Sequence, residues 1–246
     1  MTNAHLYEDA NLAQFYDLEN AWGADFDTCI DMAAEAENLL DLGCGTGALV
    51  AHLAPSMPAT GVDPAAAMID IAKQRNGGQH ATWVVGDARS LDLEQQFDLI
   101  VLTGNTFQVF LTEADQRAAL ATIARHLSPR GKFIFDTRNP DCAAWEKWAP
   151  EQSHRTVTHD KYGEIEVFND AEYEAQSAIV TYETTYKIHT SGQSFTAKAQ
   201  MKFTPLAELK SLISDAGLHV ETWFGTWDGA ALSNSSQGFI PLGRRA

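Results

Sequence analysis

Leu39-Leu40-Asp41-Leu42-Gly43-Cys44-Gly45-Thr46-Gly47 is the stretch on which the fold turns. Apolar residues around one acid run into three glycines at alternate positions. The pattern reads as a buried strand ending in a tight turn before a helix. Gly43, Gly45 and Gly47 can take positive φ and bring backbone N–H groups against a ligand with no Cβ between. Asp41 puts a carboxylate at the carboxyl end of the strand, where open α/β sheets bind ligands. The spacing also separates cofactors. The dinucleotide fingerprint G-x-G-x-x-G sets a pyrophosphate on a helix N-terminus. This chain reads D-x-G-x-G-x-G. A carboxylate there would repel a pyrophosphate and suits a ligand with a free ammonium group.

Outward from this turn, strands and helices alternate. Strands are expected at 38–41, 60–63, 81–86, 97–102 and 132–136, and helices at 48–54, 65–75 and 113–126. Such alternation implies a doubly wound, mostly parallel sheet with helices on both faces. Residues 6–36 read as mostly helical, with a break at Trp22-Gly23. Residues 154–204 lack a helical period. They carry β-rich runs at 155–159, 164–173, 178–189 and 195–203, expected as three or four inserted antiparallel strands. Thr204 is the expected N-cap and Pro205 the first residue of a helix over 206–216, which Gly217 stops. Runs at 219–227 and 238–242 read as a closing hairpin. The expected organisation is an α/β core of 1–153 and 205–246, with a 154–204 β lid inserted.

The 246 residues include 33 Asp plus Glu against 17 Lys plus Arg, a net charge of −16. Phosphate backbones need basic surface, so nucleic acid is not expected as a partner. No apolar run reaches the ~18 residues of a membrane span. The first residues lack the basic and apolar regions of a signal peptide, so the cytoplasm is the expected compartment. Cys29, Cys44 and Cys142 have no CxxC spacing, which argues against a disulfide framework or a metal site. Cys44 reads as a small residue that fits its turn.

The D-x-G-x-G-x-G run resembles motif I of the class I S-adenosylmethionine-dependent methyltransferases. The resemblance covers about 36–140 and 204–244. It implies a Rossmann-like sheet of seven strands whose last strand runs antiparallel. It also implies S-adenosylmethionine as cofactor and S-adenosylhomocysteine as product. The 154–204 insertion resembles the antiparallel lid of small-molecule methyltransferases, especially those acting on sugar amines and other small amines. Asp63, ending the second strand, matches the acid that accepts both ribose hydroxyls. Met68, a turn into the next helix, is a candidate cover for adenine or a core residue. Asp87 resembles the acid that accepts the adenine amino group, with the Ala88 N–H facing a ring nitrogen. That reading is preferred to an ion pair with Arg89. Thr103 is expected to offer backbone groups near the methionine part. In similar enzymes the N-terminal segment folds over the cofactor, which makes Tyr16, ahead of Tyr7, the candidate contact at the methionyl end.

Thr103-Gly104-Asn105-Thr106-Phe107-Gln108 follows the fourth strand. It carries neither Asn-Pro-Pro-Tyr nor a Pro-Cys nucleophile. Asn105 and Gln108 are candidates to orient a substrate. Arg138, Asn139, Trp145 and Trp148 follow the fifth strand. They either hold a cationic or ring-bearing substrate or seat the lid. His154, His159 and His189 lie in or beside the insertion, and none is assigned as a base. The reading is methyl transfer to a small molecule, an amine ahead of a hydroxyl, with no assigned catalytic residue. A non-catalytic S-adenosylmethionine-binding regulatory protein is the alternative. An NAD-dependent oxidoreductase fits Asp63 but neither the glycine spacing nor Asp41. Pairing of the inserted strands across a homodimer stays open.

Overall fold

The computed structural model describes residues 10–246. Tyr7 lies outside them. The main sheet has the order β11-β12-β5-β4-β1-β2-β3. Its central strands are β1 (Leu39–Leu42), β2 (Ala59–Asp63), β3 (Thr82–Val85), β4 (Phe97–Leu102) and β5 (Leu127–Phe135). These five pair in parallel. β12 (Gly238–Arg245) enters antiparallel between β5 and β11 (Leu218–Phe224). A two-residue strand, β6 (Thr137–Arg138), also pairs with β12.

Side chains alternate across this sheet and build two cores, as period 2 requires of a sheet covered on both faces. Leu40, Leu42, Ile100, Leu102, Phe133 and Phe135 face one way. They pack under α4 (Glu113–His126) and α5 (Leu206–Asp215), through Leu120, Ile123, Leu209 and Leu212. Leu39, Leu99, Val101 and Ile134 face the other way. They meet Cys29 of α1 (Ala24–Ala33) and Leu49 and Val50 of α2 (Ala48–Leu53). The remaining helix of the core, α3 (Ala66–Gln74), buries Met68, Ile69 and Ala72.

The insertion forms a separate antiparallel sheet, order β10-β9-β8-β7. Its strands are β7 (Arg155–His159), β8 (Gly163–Glu174), β9 (Ile179–Ile188) and β10 (Ser194–Lys202). Ile165, Val167, Tyr186 and Ile188 form its buried face around Phe15. Phe15 precedes the second of two short helical turns, Ala10–Ala13 and Tyr16–Glu19. Its ring stacks on Tyr186 at 4.4 Å.

Two expectations are corrected. Thr204 does not cap α5: Pro205 takes the cap position with extended backbone. The buried Thr204 hydroxyl instead accepts a hydrogen bond from Gln116 Nε2 at 2.7 Å. β5 starts at Leu127, five residues earlier than the sequence suggests. Phe97 pairs with Leu127 and Leu99 with Lys132, so 128–131 form an irregularity in the strand. Gly131 permits it, because a Cβ there would lie 2.6 Å from the Phe97 carbonyl oxygen. Among the described residues no helix is long and apolar enough to cross a membrane.

Candidate active site

Parallel strands that leave a sheet side by side bring their carboxyl ends to one edge. β1 delivers Asp41 there, β2 Asp63, and β5 is followed by Asp136. Asp87 follows β3, and Thr103-Gly104-Asn105 follow β4. The turn after β1 is built from close approaches. Gly43 has φ 78°, and a Cβ on it would lie 2.4 Å from Thr106 Cγ2. Gly47 has φ 73°, and a Cβ on it would lie 2.4 Å from the Trp83 ring. Tyr16 lies over Gly45, where a Cβ would meet its hydroxyl oxygen at 3.2 Å. Burial, with Asp63 and Asp41 nearby, pushes the Tyr16 hydroxyl well above its ordinary pKa.

Asp63 is held by two backbone donors. Its Oδ2 accepts from Gly45 N and its Oδ1 from Ala65 N, both at 2.9 Å. One lone pair on each oxygen stays available, the geometry of a bidentate acceptor. Burial raises its pKa against those hydrogen bonds. Asp41 is only 2% exposed, and among the described residues its Oδ1 has no hydrogen-bond partner. Burial first, then Asp63 and Asp25, push its pKa up to about 8. A buried carboxylate oxygen without a donor is a costly feature that wants a cation or a donor supplied from outside. Cys44 beside it is half-buried, and desolvation raises its thiol pKa, which suits packing and not nucleophilic chemistry.

The N-terminal segment is tied to this turn at successive residues. Arg75, at the end of α3, donates to the Thr46 carbonyl at 2.6 Å and the Thr46 hydroxyl at 2.8 Å. It also pairs with Asp17, whose Oδ1 accepts from the Thr46 hydroxyl at 2.6 Å. Asp17 and Arg75 carry no motif. Only a contact between distant segments reveals them.

A cavity of about 230 Å³ opens between this edge and the second sheet. Tyr16, Met68, Gly104, Arg138 and Trp148 line it from the core, and Tyr182, Thr184 and Met201 from the insertion. Met68 is buried in a cluster with Ala13 and Ala65 and forms part of the cavity wall. No histidine lines the cavity among the described residues. His154 pairs with Glu166, and His159 packs on Phe15 and Tyr162.

Residues 39–131 match the family model described as a methyltransferase domain. Over this stretch the chain is similar to methyltransferase domains. It is 28% identical over 204 residues to dTDP-4-amino-2,3,4,6-tetradeoxy-D-glucose N,N-dimethyltransferase of Saccharopolyspora spinosa, covering 80% of this chain and 78% of that one. It is 38% identical over 104 residues to malonyl-[acyl-carrier protein] O-methyltransferase of Anoxybacillus flavithermus. That match covers 41% of this chain, which spans only 39% of that relative's length. The solved CcbJ methyltransferase of Streptomyces caelestis superposes with a TM-score of 0.78 at 20% identity, covering 98% of each chain. Domain and insertion therefore share one fold with a methyltransferase throughout.

Three of the expected site residues meet protein partners in the structure. Asp87 forms the ion pair with Arg89 to which its adenine reading is preferred on sequence. Arg89 Nε lies 3.0 Å from both Asp87 oxygens, and Arg89 also reaches Asp115 at 3.0 Å. The Arg89 hydrogen bonds hold Asp87 below its ordinary pKa. Ala88 beside it is buried. Gln108 is fully buried and does not line the cavity. Its Nε2 donates to the Lys202 carbonyl at 3.2 Å, and its Oε1 accepts from Arg138 Nη1 at 2.8 Å. It ties core, insertion and Arg138 together. Trp145 stacks on Tyr173 at 4.2 Å and meets Phe203 edge-on at 4.7 Å, so it seats the second sheet and does not line the cavity. Asn139 is also structural: its amide donates to the Ser236 carbonyl at 2.9 Å.

Asp136 is a site residue the sequence reading passed over. It is buried, accepts from Asn105 N at 2.7 Å and Trp227 Nε1 at 3.2 Å, and burial raises its pKa to about 6. It fixes the turn after β4, in which Asn105 sits at φ 60° and the Thr103 carbonyl accepts from Thr106. An acid ending a core strand was the signal available.

Proposed function

We propose that this chain catalyses S-adenosylmethionine-dependent methyl transfer to a small-molecule amine. The observation that carries the reading is the unpartnered, buried Asp41 oxygen beneath a glycine turn, beside a second strand-end acid with an open lone pair on each oxygen. These residues fit the cofactor. Asp41 suits its ammonium and Asp63 its ribose hydroxyls. Gly43 and Gly47 leave room only for backbone. Met68 and Tyr16 would close over it, and Asp87 would meet adenine while sharing its carboxylate with Arg89. When bound, the cofactor supplies a methyl group already activated on a sulfonium.

The chain's own task is alignment and exclusion of water. The second sheet roofs the cavity, which supports the reading of 154–204 as a lid. That no histidine lines the cavity among the described residues favours an acceptor that brings its own lone pair, an amine, over a hydroxyl that needs a base. The N,N-dimethyltransferase relative supports the same choice. Arg138, which lines the cavity, is the first substrate-side candidate, and Asn105, next to the lining residue Gly104, is the second. The acidic composition supports a small-molecule acceptor, with nucleic acid not a substrate.

Calorimetric titration with S-adenosylmethionine, S-adenosylhomocysteine and NAD tests the reading. Micromolar binding of the first two and none of NAD is expected, followed by methyl transfer to amines. No binding of either sulfur ligand would overturn it. Tight binding with no turnover on any amine or phenol would leave the non-catalytic alternative.

A further inference from the structure

We propose that Glu19 receives the acceptor amine, and that this site takes a free primary or secondary amine. The proposal rests on the methyl-transfer reading and names the substrate class. Glu19 closes the second helical turn and lines the cavity together with Trp148, Tyr182 and Tyr186. Its side chain is 19% exposed. Its Oε2 pairs with Arg155 at the start of β7, whereas its Oε1 is buried and has no hydrogen-bond partner among the described residues. A carboxylate oxygen shut away from water and left without a donor costs free energy that an incoming N–H recovers.

The neighbouring charges define what kind of donor fits. Arg155 already balances the Glu19 charge, so Oε1 does not demand a full cation. An uncharged amine can donate one N–H to it and keep its lone pair, which is the form that attacks a methyl group. Three aromatic side chains around it suit an apolar or ring-bearing carrier. Arg138, the cation on the same wall, is committed to Gln108 Oε1 and lies 5.2 Å over the Trp148 ring. The wall therefore favours an amine-bearing molecule over a carboxylic acid.

The test titrates the full chain, saturated with S-adenosylhomocysteine, with two matched pairs: cyclohexylamine against cyclohexanol, and D-glucosamine against D-glucose. Saturation-transfer NMR reads the affinities. At least one amine is expected to bind tenfold or more tightly than its alcohol. Glu19→Gln should abolish that preference: Arg155 would hold the amide oxygen and turn the NH₂ group, a donor, toward the ligand. Arg155→Met breaks the same ion pair but keeps the carboxylate, and should retain the preference. S-adenosylhomocysteine affinity within twofold of the parent shows that each variant is folded. Equal binding of amine and alcohol by the parent overturns the proposal, as does a preference that survives Glu19→Gln or vanishes equally in Arg155→Met. If S-adenosylhomocysteine does not bind the parent, the methyl-transfer reading falls. The same amine titrations without it, with folding checked by circular dichroism, still decide the role of Glu19.

Discussion

Asp41 and Asp63 are adjacent strand-end acids with different environments, and the difference predicts different behaviour. Asp63 has both oxygens engaged by backbone donors. Asp63→Ala should weaken S-adenosylmethionine binding by about 100-fold or more, as two hydroxyl hydrogen bonds to a charged acceptor would require. It should also cost about 1–3 kcal/mol of stability, because Gly45 and Ala65 N–H lose their acceptor. Unchanged affinity by calorimetry would sink the ribose assignment. Asp41 has no such donors, and its pKa rises from 3.8 to about 8. Between those values the folded state holds a proton that the unfolded chain has released. Stability therefore falls as pH rises through this window. Asp41→Asn should flatten that slope and be more stable than the parent near pH 8, as urea unfolding at several pH values would show. A bound ammonium favours the carboxylate form, so S-adenosylmethionine binding at pH 7 should release up to about one proton. Titration in buffers of different ionisation enthalpy measures this. Of these two residues the sequence shows the positions. It does not show that one Asp41 oxygen lacks a partner among the described residues, because that depends on every segment packed around it.

At the scale of elements, the N-terminal turns act as a clasp. Phe15 enters the second sheet, Tyr16 covers Gly45, Asp17 joins Thr46 and Arg75, and Glu19 meets β7. Neighbouring side chains thus serve the core turn and the insertion by turns. Phe15→Ala should cost about 3–5 kcal/mol of packing. The cost should appear as faster hydrogen exchange in β8 and β9, with β1 and β4 unchanged. Equal acceleration in β1 would mean that core and insertion unfold as one unit. The alternation of strands and helices at 39–135 was legible in the sequence because buried strands and amphipathic helices impose different periods. The start of β5 was not: Ser128-Pro129-Arg130-Gly131 has turn chemistry, and only pairing with Phe97 and Leu99 makes it part of a strand. Thr204-Pro205 likewise reads as a helix start, but the Thr204 hydroxyl is claimed by Gln116, remote in sequence.

For the whole molecule, core and insertion meet across the cavity through a few ties: Gln108 to Lys202, Trp145 to Tyr173, and Glu19 to Arg155. A ligand seated between them should stabilise both. Saturating S-adenosylhomocysteine at 100 times its dissociation constant should add about 2.7 kcal/mol, read as a rise in melting temperature. Deleting 154–204, where the remaining core folds, should keep cofactor binding and lose turnover. Retained turnover would mean that the second sheet is not a lid.

The sequence by itself determined the parallel sheet, the glycine turn, the acids at the strand ends and the inserted antiparallel strands. All of these are written in local periodicity and in the backbone conformations that only certain residues allow. The tertiary structure alone decided the partners. It gave Asp87 to Arg89, buried Gln108 against the insertion, sent Trp145 to Tyr173, and left one oxygen of Asp41 and one of Glu19 without a donor. A side chain's hydrogen bonds depend on which distant segments fold against it, and no local pattern carries that information.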